Sequence, residues 1–319
     1  MGEMGPRFYV HEQSAALQCF LPLLHTHLPH ANPLYNRLQA PHNIPSRHCL
    51  YAATFPSTSP GSIPSVPEIY TVLFADRSRH EESQIWIFNT IITHPAPLAQ
   101  TQRDALSSHL TSAIFFLKGI SIPEAPGWPF SPFLRFACVH EAISQSLEEI
   151  TRPREAMPYI TRWNAWNIST SVFSSSARES RRLPDGFRVG RVPEDQLDIV
   201  IATSSIKRQP STYLILPSVG LLNENGLLVA WGYVGIDGSF ATLYVLPDYR
   251  GKGLASYVAE ELLRRLGGGD FKDMGYDGKS GWVHSDVKAG NEGSEKVMKS
   301  LGGKVSWGTS YIWVDSDKF

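Results

Sequence analysis

The residues best suited to chemistry lie in one short run, Leu243 to Ser256, reading LYVLPDYRGKGLAS. An apolar, strand-like stretch ends at Pro247. Arg250-Gly251-Lys252-Gly253-Leu254-Ala255 then opens a helix-like segment. The first amides of a helix are unpaired and sit at the positive end of its dipole, so they favour anions and pyrophosphate above all. Glycine has no Cβ, and so lets backbone approach a ligand closely. Arg250 and Lys252 add positive charge. The pattern is R-x-x-G-x-A. It is neither the G-x-x-x-x-G-K-[ST] phosphate loop nor the G-x-G-x-x-G dinucleotide turn. Taken alone, six such residues fit a phosphate cradle or an ordinary tight turn with two exposed cations.

Two candidate acid–base groups follow this run. Trp282, His284 and Asp286 alternate along a later strand-like segment and so share a face. An unperturbed imidazole titrates near ~6.5, which suits a general base. His284 is the one histidine after Gly186. Upstream, His25-Thr-His27-Leu-Pro-His30 has a metal-like look. No cysteine pair completes a four-ligand site, so no metal is expected.

The elements that must position these groups follow from periodicity and turn chemistry. In the second half, Phe187–Val192 is strand-like and Glu194–Thr203 helix-like, with Pro193 at its start. Tyr213–Pro217 leads into a hairpin, Val219–Leu222 and Leu227–Val234, around Asn225-Gly226. A second turn, Ile236-Asp237-Gly238, leads into a strand over Ser239–Leu246. Strict alternation there places Ser239, Ala241, Leu243 and Val245 on one face. A helix over Ala255–Leu266 is expected to stop at Gly267-Gly268-Gly269. Gly281–Val287 is a strand, Gly293–Leu301 a short helix, and Lys304–Val314 the last strand region. In the first half, residues 13–28, 101–117 and 134–150 read as helices, and 70–75 and 84–92 as strands.

Composition divides the chain. Of 23 prolines, 19 precede Gly186, and 20 of 25 glycines lie from Gly186 onward, so the two halves use different turn chemistry. The polar stretch Ser174–Asp185 suits a linker. We therefore expect an α/β N-terminal lobe over 1–178 and a second α/β domain over 186–319. The chain has 319 residues, ample for two domains, and its 42% hydrophobic content supports packed cores. A net charge of −1 gives no general attraction to nucleic acid or anionic membrane. No apolar run has membrane-span length and no leader-like segment opens the chain, so a cytoplasmic location is expected. Cys19, Cys49 and Cys138 are odd in number and far apart, as in reduced intracellular proteins.

The run V-x-P-x-Y-R-G-K-G, Val245 to Gly253, resembles the signature of the GNAT superfamily of acyl-CoA-dependent N-acyltransferases. In that superfamily a strand, an Asn opening the next helix, and a Leu-Gly follow. Trp282–Val287, Asn291 and Leu301-Gly302 stand in those places, and the likeness covers roughly residues 186–319. The stretch from Ser218 to Leu262 is further similar to the C-terminal lobe of glycine N-acyltransferases, with Trp231, L-P-x-Y-R and G-L-x-x-Y-V in common. That group carries a degenerate GNAT-like N-terminal lobe, so the same is implied here.

The resemblance implies a mixed central sheet of GNAT type in the C-terminal lobe. It also implies direct acyl transfer from acetyl-CoA or another small acyl-CoA to the amine of a small molecule or amino acid. Val245 and the turn residues Arg250, Gly251, Lys252, Gly253, Leu254 and Ala255 would hold coenzyme A, with Asn291 reaching the pantetheine arm. The N-terminal lobe would help shape the acceptor site. The glycine N-acyltransferase group places a catalytic Glu where this chain has Ser239, so the base would be Asp237, His284 or Asp286, acting with a water ordered by Ser239. The tyrosine that protonates the leaving thiolate in many members is here Met298, with Tyr244, Tyr249 or Tyr311 as substitutes. Two rival readings stay open: a non-catalytic acyl-CoA-binding protein that lost its base, and a GNAT scaffold reused for another biosynthetic reaction.

Overall fold

The computed structural model describes residues 5–45, 48–57, 65–76, 82–120, 132–174, 181–204, 206 and 208–319. In chain order the first elements are β1 (Tyr9–Val10), α1 (Gln13–His25), α2 (Asn32–Leu38), β2 (Leu50–Ala53), β3 (Thr71–Asp76), β4 (Gln84–Asn89), α3 (Gln100–Gly119), β5 (Phe133–His140), α4 (Glu141–Thr151) and β6 (Tyr159–Ser169). Then follow α5 (Ser171–Ser174), β7 (Phe187–Gly190), α6 (Leu197–Thr203), α7 (Pro210–Ile215), β8 (Ser218–Asn223), β9 (Leu228–Val234), β10 (Phe240–Val245), α8 (Leu254–Gly268), β11 (Trp282–Val287), α9 (Glu292–Ser300) and β12 (Lys304–Asp315). The chain forms two compact units, Met1–Trp163 with Trp307–Phe319, and Asn164–Ser306. The division falls inside β6 and inside β12. Half of the Ser174–Asp185 stretch, residues 175–180, lies outside the described residues, as does the centre of the β3–β4 connection.

In the first unit the strands lie in the order β1-β2-β3-β4-β5-β12. Neighbours are antiparallel except β4 and β5, which run parallel through the pair Ile85↔Phe136. In the second unit β7-β8-β9-β10 form an antiparallel sheet. β11 touches β10 through one parallel pair, Ser239↔His284, and pairs antiparallel with residues 164–169 of β6. Each unit thus has a mixed sheet with one parallel junction, and each presents strand, two helices, three strands, helix, strand, helix, strand. This is the two-lobed mixed α/β fold of GNAT type.

α8 covers one face of the second sheet. A Cβ on Gly232 of β9 would stand 3.2 Å from Val258 and 3.3 Å from Leu243, so that glycine lets helix and sheet meet closely. Val258, Leu262 and Leu263 are fully buried there, each worth about 2 kcal/mol of burial. Tyr213 of α7 stacks edge-on against Tyr233 of β9 at 5.2 Å, as part of the same buried core.

Several sequence expectations need correction. Residues 133–140 form strand β5, not the start of a helix, because pairing with β12 on one edge and β4 on the other outweighs local propensity. The stretch before the β8–β9 hairpin is helix α7, with Pro210 at its first turn. The strand expected over 84–92 stops at Asn89, whose side chain accepts the Ile91 N–H (2.8 Å) and starts a 3₁₀ turn. α8 continues through Gly267 and Gly268 and is closed by Gly269 alone. The short elements α2 and β2 and the 11-residue strand β6 are not anticipated by periodicity.

Candidate active site

The turn Pro247–Gly253 joins β10 to α8. Gly251 and Gly253 hold φ of +78° and +75°, a region that disfavours any side chain. A Cβ at either position would meet nothing within 4 Å, so both glycines face open space. Gly253 is the N-cap of α8 and supplies no side-chain hydrogen bond, leaving the first amides of a 15-residue helix uncapped. Tyr249 props the turn from behind. Its hydroxyl accepts from Asn223 Nδ2 (3.0 Å), and its ring lies beneath Lys252 Nζ at 5.1 Å. Arg250 Nε donates to the Val245 carbonyl (3.1 Å), and its guanidinium sits 5.4 Å from the Tyr244 ring.

Above the turn, β10 and β11 part. Ser239↔His284 is their one pair among the described residues, and beyond it the strands belong to separate ladders. Phe240 and Ala241 are buried, whereas Thr242 to Leu246 are partly exposed along the slot. β10 also carries a bulge. Ala241 pairs with Tyr233 and Tyr244 with Trp231, so Thr242 and Leu243 together oppose Gly232. Thr242 takes φ +53° there, and its hydroxyl oxygen receives a hydrogen bond from Arg208 (3.1 Å).

The bulge overturns the expected alternation. Ser239, Ala241 and Tyr244 share one face with Trp231 and Tyr233, while Leu243 turns to the α8 face. Leu246 N–H bonds the Val229 carbonyl (2.9 Å), so Val245 directs its own N–H and carbonyl away from β9.

A carboxylate stands where the sequence shows only a serine. Asp237 Oδ1 accepts both the Ser239 hydroxyl (2.6 Å) and the Ser239 N–H (3.2 Å). Asp237 Oδ2 lies 3.9 Å from His284 Nε2, and both residues are buried. The Gly235–Gly238 turn enforces this. Gly235 N–H bonds the Ser239 carbonyl (2.7 Å), Gly238 N–H bonds the Gly235 carbonyl (3.0 Å), and a Cβ on Gly235 would fall 2.4 Å from Ser239 Oγ. Asp286 lies two residues beyond His284, opposite Ala165 of β6, on the same face of β11. Asn291 is the N-cap of α9, its Oδ1 taking the Ser294 N–H (3.2 Å). Met298 is core, 1% exposed. The three N-terminal imidazoles go to separate aromatic partners: His25 to Tyr35, His27 to Tyr70 and Phe88, His30 to Trp307.

A family model described as the acyl-CoA N-acyltransferase verG N-terminal domain matches residues 6–176. The chain belongs to that family. A second model, FR47-like protein, matches residues 218–314, which contain the turn, the slot and Asp237. The protein is thus a GNAT-superfamily acyltransferase, and that superfamily uses acyl-CoA as co-substrate. The X-ray structure of a Drosophila protein superposes with a TM-score of 0.65 at 16% identity, over 97% of this chain and 99% of its own, which is a likeness of fold. A tandem GNAT protein from the clavulanic acid biosynthesis pathway (TM-score 0.48, 11% identity) covers 97% of this chain and 98% of its own. A GCN5-related N-acetyltransferase from Sphaerobacter thermophilus (TM-score 0.47, 11% identity) covers 96% and 93%. No curated protein matches the sequence.

In this acyltransferase the sequence points to the turn and to Asp237 as one candidate base, but one residue near the slot, Asn167, escapes it. Asp237 is only one of three candidate bases in sequence, because nothing local says that Ser239 folds back onto it. Asn167 carries no motif at all. It faces His284 across the β6–β11 ladder, a pairing between segments more than a hundred residues apart. No described helix is long and apolar enough to cross a membrane.

Proposed function

We propose that this acyltransferase moves an acetyl or other small acyl group from coenzyme A to the amine of a small molecule or amino acid. The working site lies within residues 186–319. The observation that carries this reading is the parting of β10 and β11 directly above an open, glycine-flanked and uncapped helix start. The turn suits pyrophosphate, because a side chain at Gly251 or Gly253 would fill the space the anion needs. The partly exposed backbone of Val245 suits the amide-rich pantetheine arm, and Asn291 closes the other side through its Nδ2. The likeness to glycine N-acyltransferases supports an amino-acid-sized acceptor.

The bound thioester supplies an activated carbonyl carbon. A protonated amine must lose one proton before attack and a second as the amide forms, and one of these finally resides on sulfur. Asp237 takes the proton that leaves nitrogen as the C–N bond forms and the C–S bond breaks. Ser239 fixes the Asp237 carboxylate through two hydrogen bonds, and His284 Nε2 faces its other oxygen. An amide of the Thr242–Leu243 bulge, outside the β9 ladder, polarises the thioester oxygen. Tyr244, on the face of Ser239, gives the departing sulfur its proton. Holding amine and thioester together makes the reaction effectively intramolecular.

Calorimetric titration of the full chain with coenzyme A tests the turn, and thiol release from acetyl-CoA over an amine panel tests the transfer. Binding in the micromolar range with amine-dependent thiol release is expected. No heat at high micromolar coenzyme A would overturn the assignment.

A further inference from the structure

Asn167 is 6% exposed, and neither its Oδ1 nor its Nδ2 has a hydrogen-bond partner among the described residues. It is directly opposite His284 in the β6–β11 ladder, and His284 is directly opposite Ser239. Residues directly opposite in a ladder project to the same face. Asn167, His284 and Ser239 therefore form one row across three strands, and Asp237 holds the end of that row through Ser239. On the next row of this face, Tyr233 has a buried hydroxyl that also lacks a partner among the described residues. A buried amide with two unmet groups is costly, and a leucine would fill the same space without that cost. An unpaired donor and acceptor on the row that leads through His284 and Ser239 to the Asp237 carboxylate point to a ligand that meets both.

We infer that Asn167 positions the acyl acceptor, and that the acceptor is an amine with an oxygen on the neighbouring carbon, an N–C–C–O unit. This rests on the acyltransferase reading above. Oδ1 accepts an N–H of the amine, which turns the nitrogen lone pair toward the slot. Nδ2 donates to the vicinal oxygen. An α-amino acid and a vicinal amino alcohol both present that unit, whereas a simple alkylamine leaves Nδ2 unmet. A site built to hydrogen-bond a substrate oxygen discriminates strongly against the analogue lacking it.

The test compares wild type with Asn167→Leu in the full chain, using glycine, 2-aminoethanol and ethylamine as acceptors and acetyl-CoA as donor. The wild type is expected to favour glycine or 2-aminoethanol over ethylamine by at least ~10-fold in kcat/KM, and which of the two wins separates acid from alcohol. Asn167→Leu is expected to abolish that preference by raising the acceptor KM, with coenzyme A affinity unchanged. Its melting temperature should rise by roughly 2 °C, because an unmet buried amide is removed. A purely structural role for Asn167 would instead lower the melting temperature and leave the acceptor preference intact. That result overturns the inference, as does a wild type that binds coenzyme A yet treats the three amines alike. If wild type binds no coenzyme A, the acyltransferase reading itself fails, which calorimetry shows before any acceptor is added.

Discussion

The two units present the same order of elements but differ where their parallel strands meet. In the first, β4 is buried along nearly its whole length, with Ile85, Trp86, Ile87 and Phe88 in the core, and it pairs directly with β5. The connection to α3 has no glycine and contains Pro95 and Pro97. Its N-cap, Ala99, takes an extended conformation (φ −64°) and likewise makes no side-chain cap, while Gln102 Oε1 accepts the Ala99 N–H (2.9 Å) and Arg103 turns back onto the Leu98 carbonyl. In the second, the equivalent strand β10 is bulged and partly exposed, and the helix start is uncapped between glycines of positive φ. The same order of elements therefore allows two local departures: strands that stop pairing, and a turn built on glycines of positive φ.

Breaking the turn should have the largest effect. Gly253→Glu places a carboxylate where the phosphates would lie and forces a side chain into a left-handed conformation. Coenzyme A affinity should fall at least ~100-fold, about 2.7 kcal/mol, by calorimetry. Ala99→Glu, at the matching helix start of the first unit, should change affinity less than about twofold, and an acidic residue there suits the helix dipole. Equal losses from both substitutions would show that the two helix starts are not functionally different.

The carboxylate comes next. Asp237→Asn keeps the shape of the Gly235–Gly238 turn but removes the proton acceptor. Amine-dependent thiol release should drop ~100- to 1,000-fold while coenzyme A affinity stays level. A drop under about threefold would move the base elsewhere along His284 and Asp286.

The first unit uses its histidines differently. His109 is buried against Thr71, its Nδ1 2.8 Å from the hydroxyl, and burial pushes it down to about 4. Burial, with His30 nearby, pushes His140 to about 3, and its Nδ1 takes the Ala142 N–H at the start of α4. Both must stay neutral in the folded state. Their unfolded forms bind protons from about pH 6.5 downward, so stability is full above that pH and is lost as pH falls toward the folded values. For His109 alone this amounts to on the order of 3 kcal/mol between pH 6.5 and 4. Thermal melts from pH 7 to 4.5 should show falling stability, and His109→Leu should flatten the slope. A melting temperature independent of pH in this range would contradict the buried, neutral state.

The Pro247–Gly253 turn was legible because its signals are local. Glycine spacing, Pro247 and Tyr249 all lie within a few residues of the helix they precede. The second unit's hairpins were legible for the same reason, since Asn225-Gly226 and Gly238 announce their turns. What escaped depends on distant pairing. The face of Leu243 and Val245 follows from a bulge against Gly232, not from alternation. β5 looks helical until its two neighbours are known. Asn167 comes opposite His284 only through the β6–β11 ladder, and Asp237 meets Ser239 only through the way that turn folds back.

The smallest and sharpest effect is at Gly235. The chain needs a glycine there not for its torsion angles, since Gly235 is absent from the positive-φ positions, but for room. A Cβ would stand 2.4 Å from Ser239 Oγ and 3.1 Å from Asp237 Oδ1. Gly235→Ala should rotate the serine hydroxyl off the carboxylate with little loss of fold. Ser239→Ala removes the same hydrogen bond by deletion. If the hydroxyl acts only by orienting Asp237, each change should slow thiol release by about tenfold, near the 1.4 kcal/mol of one such contact. The double variant should then be no slower than either single one, because both remove one interaction. Additive losses would mean that Ser239 acts on its own, and the carboxylate would no longer explain why a serine can stand at that position.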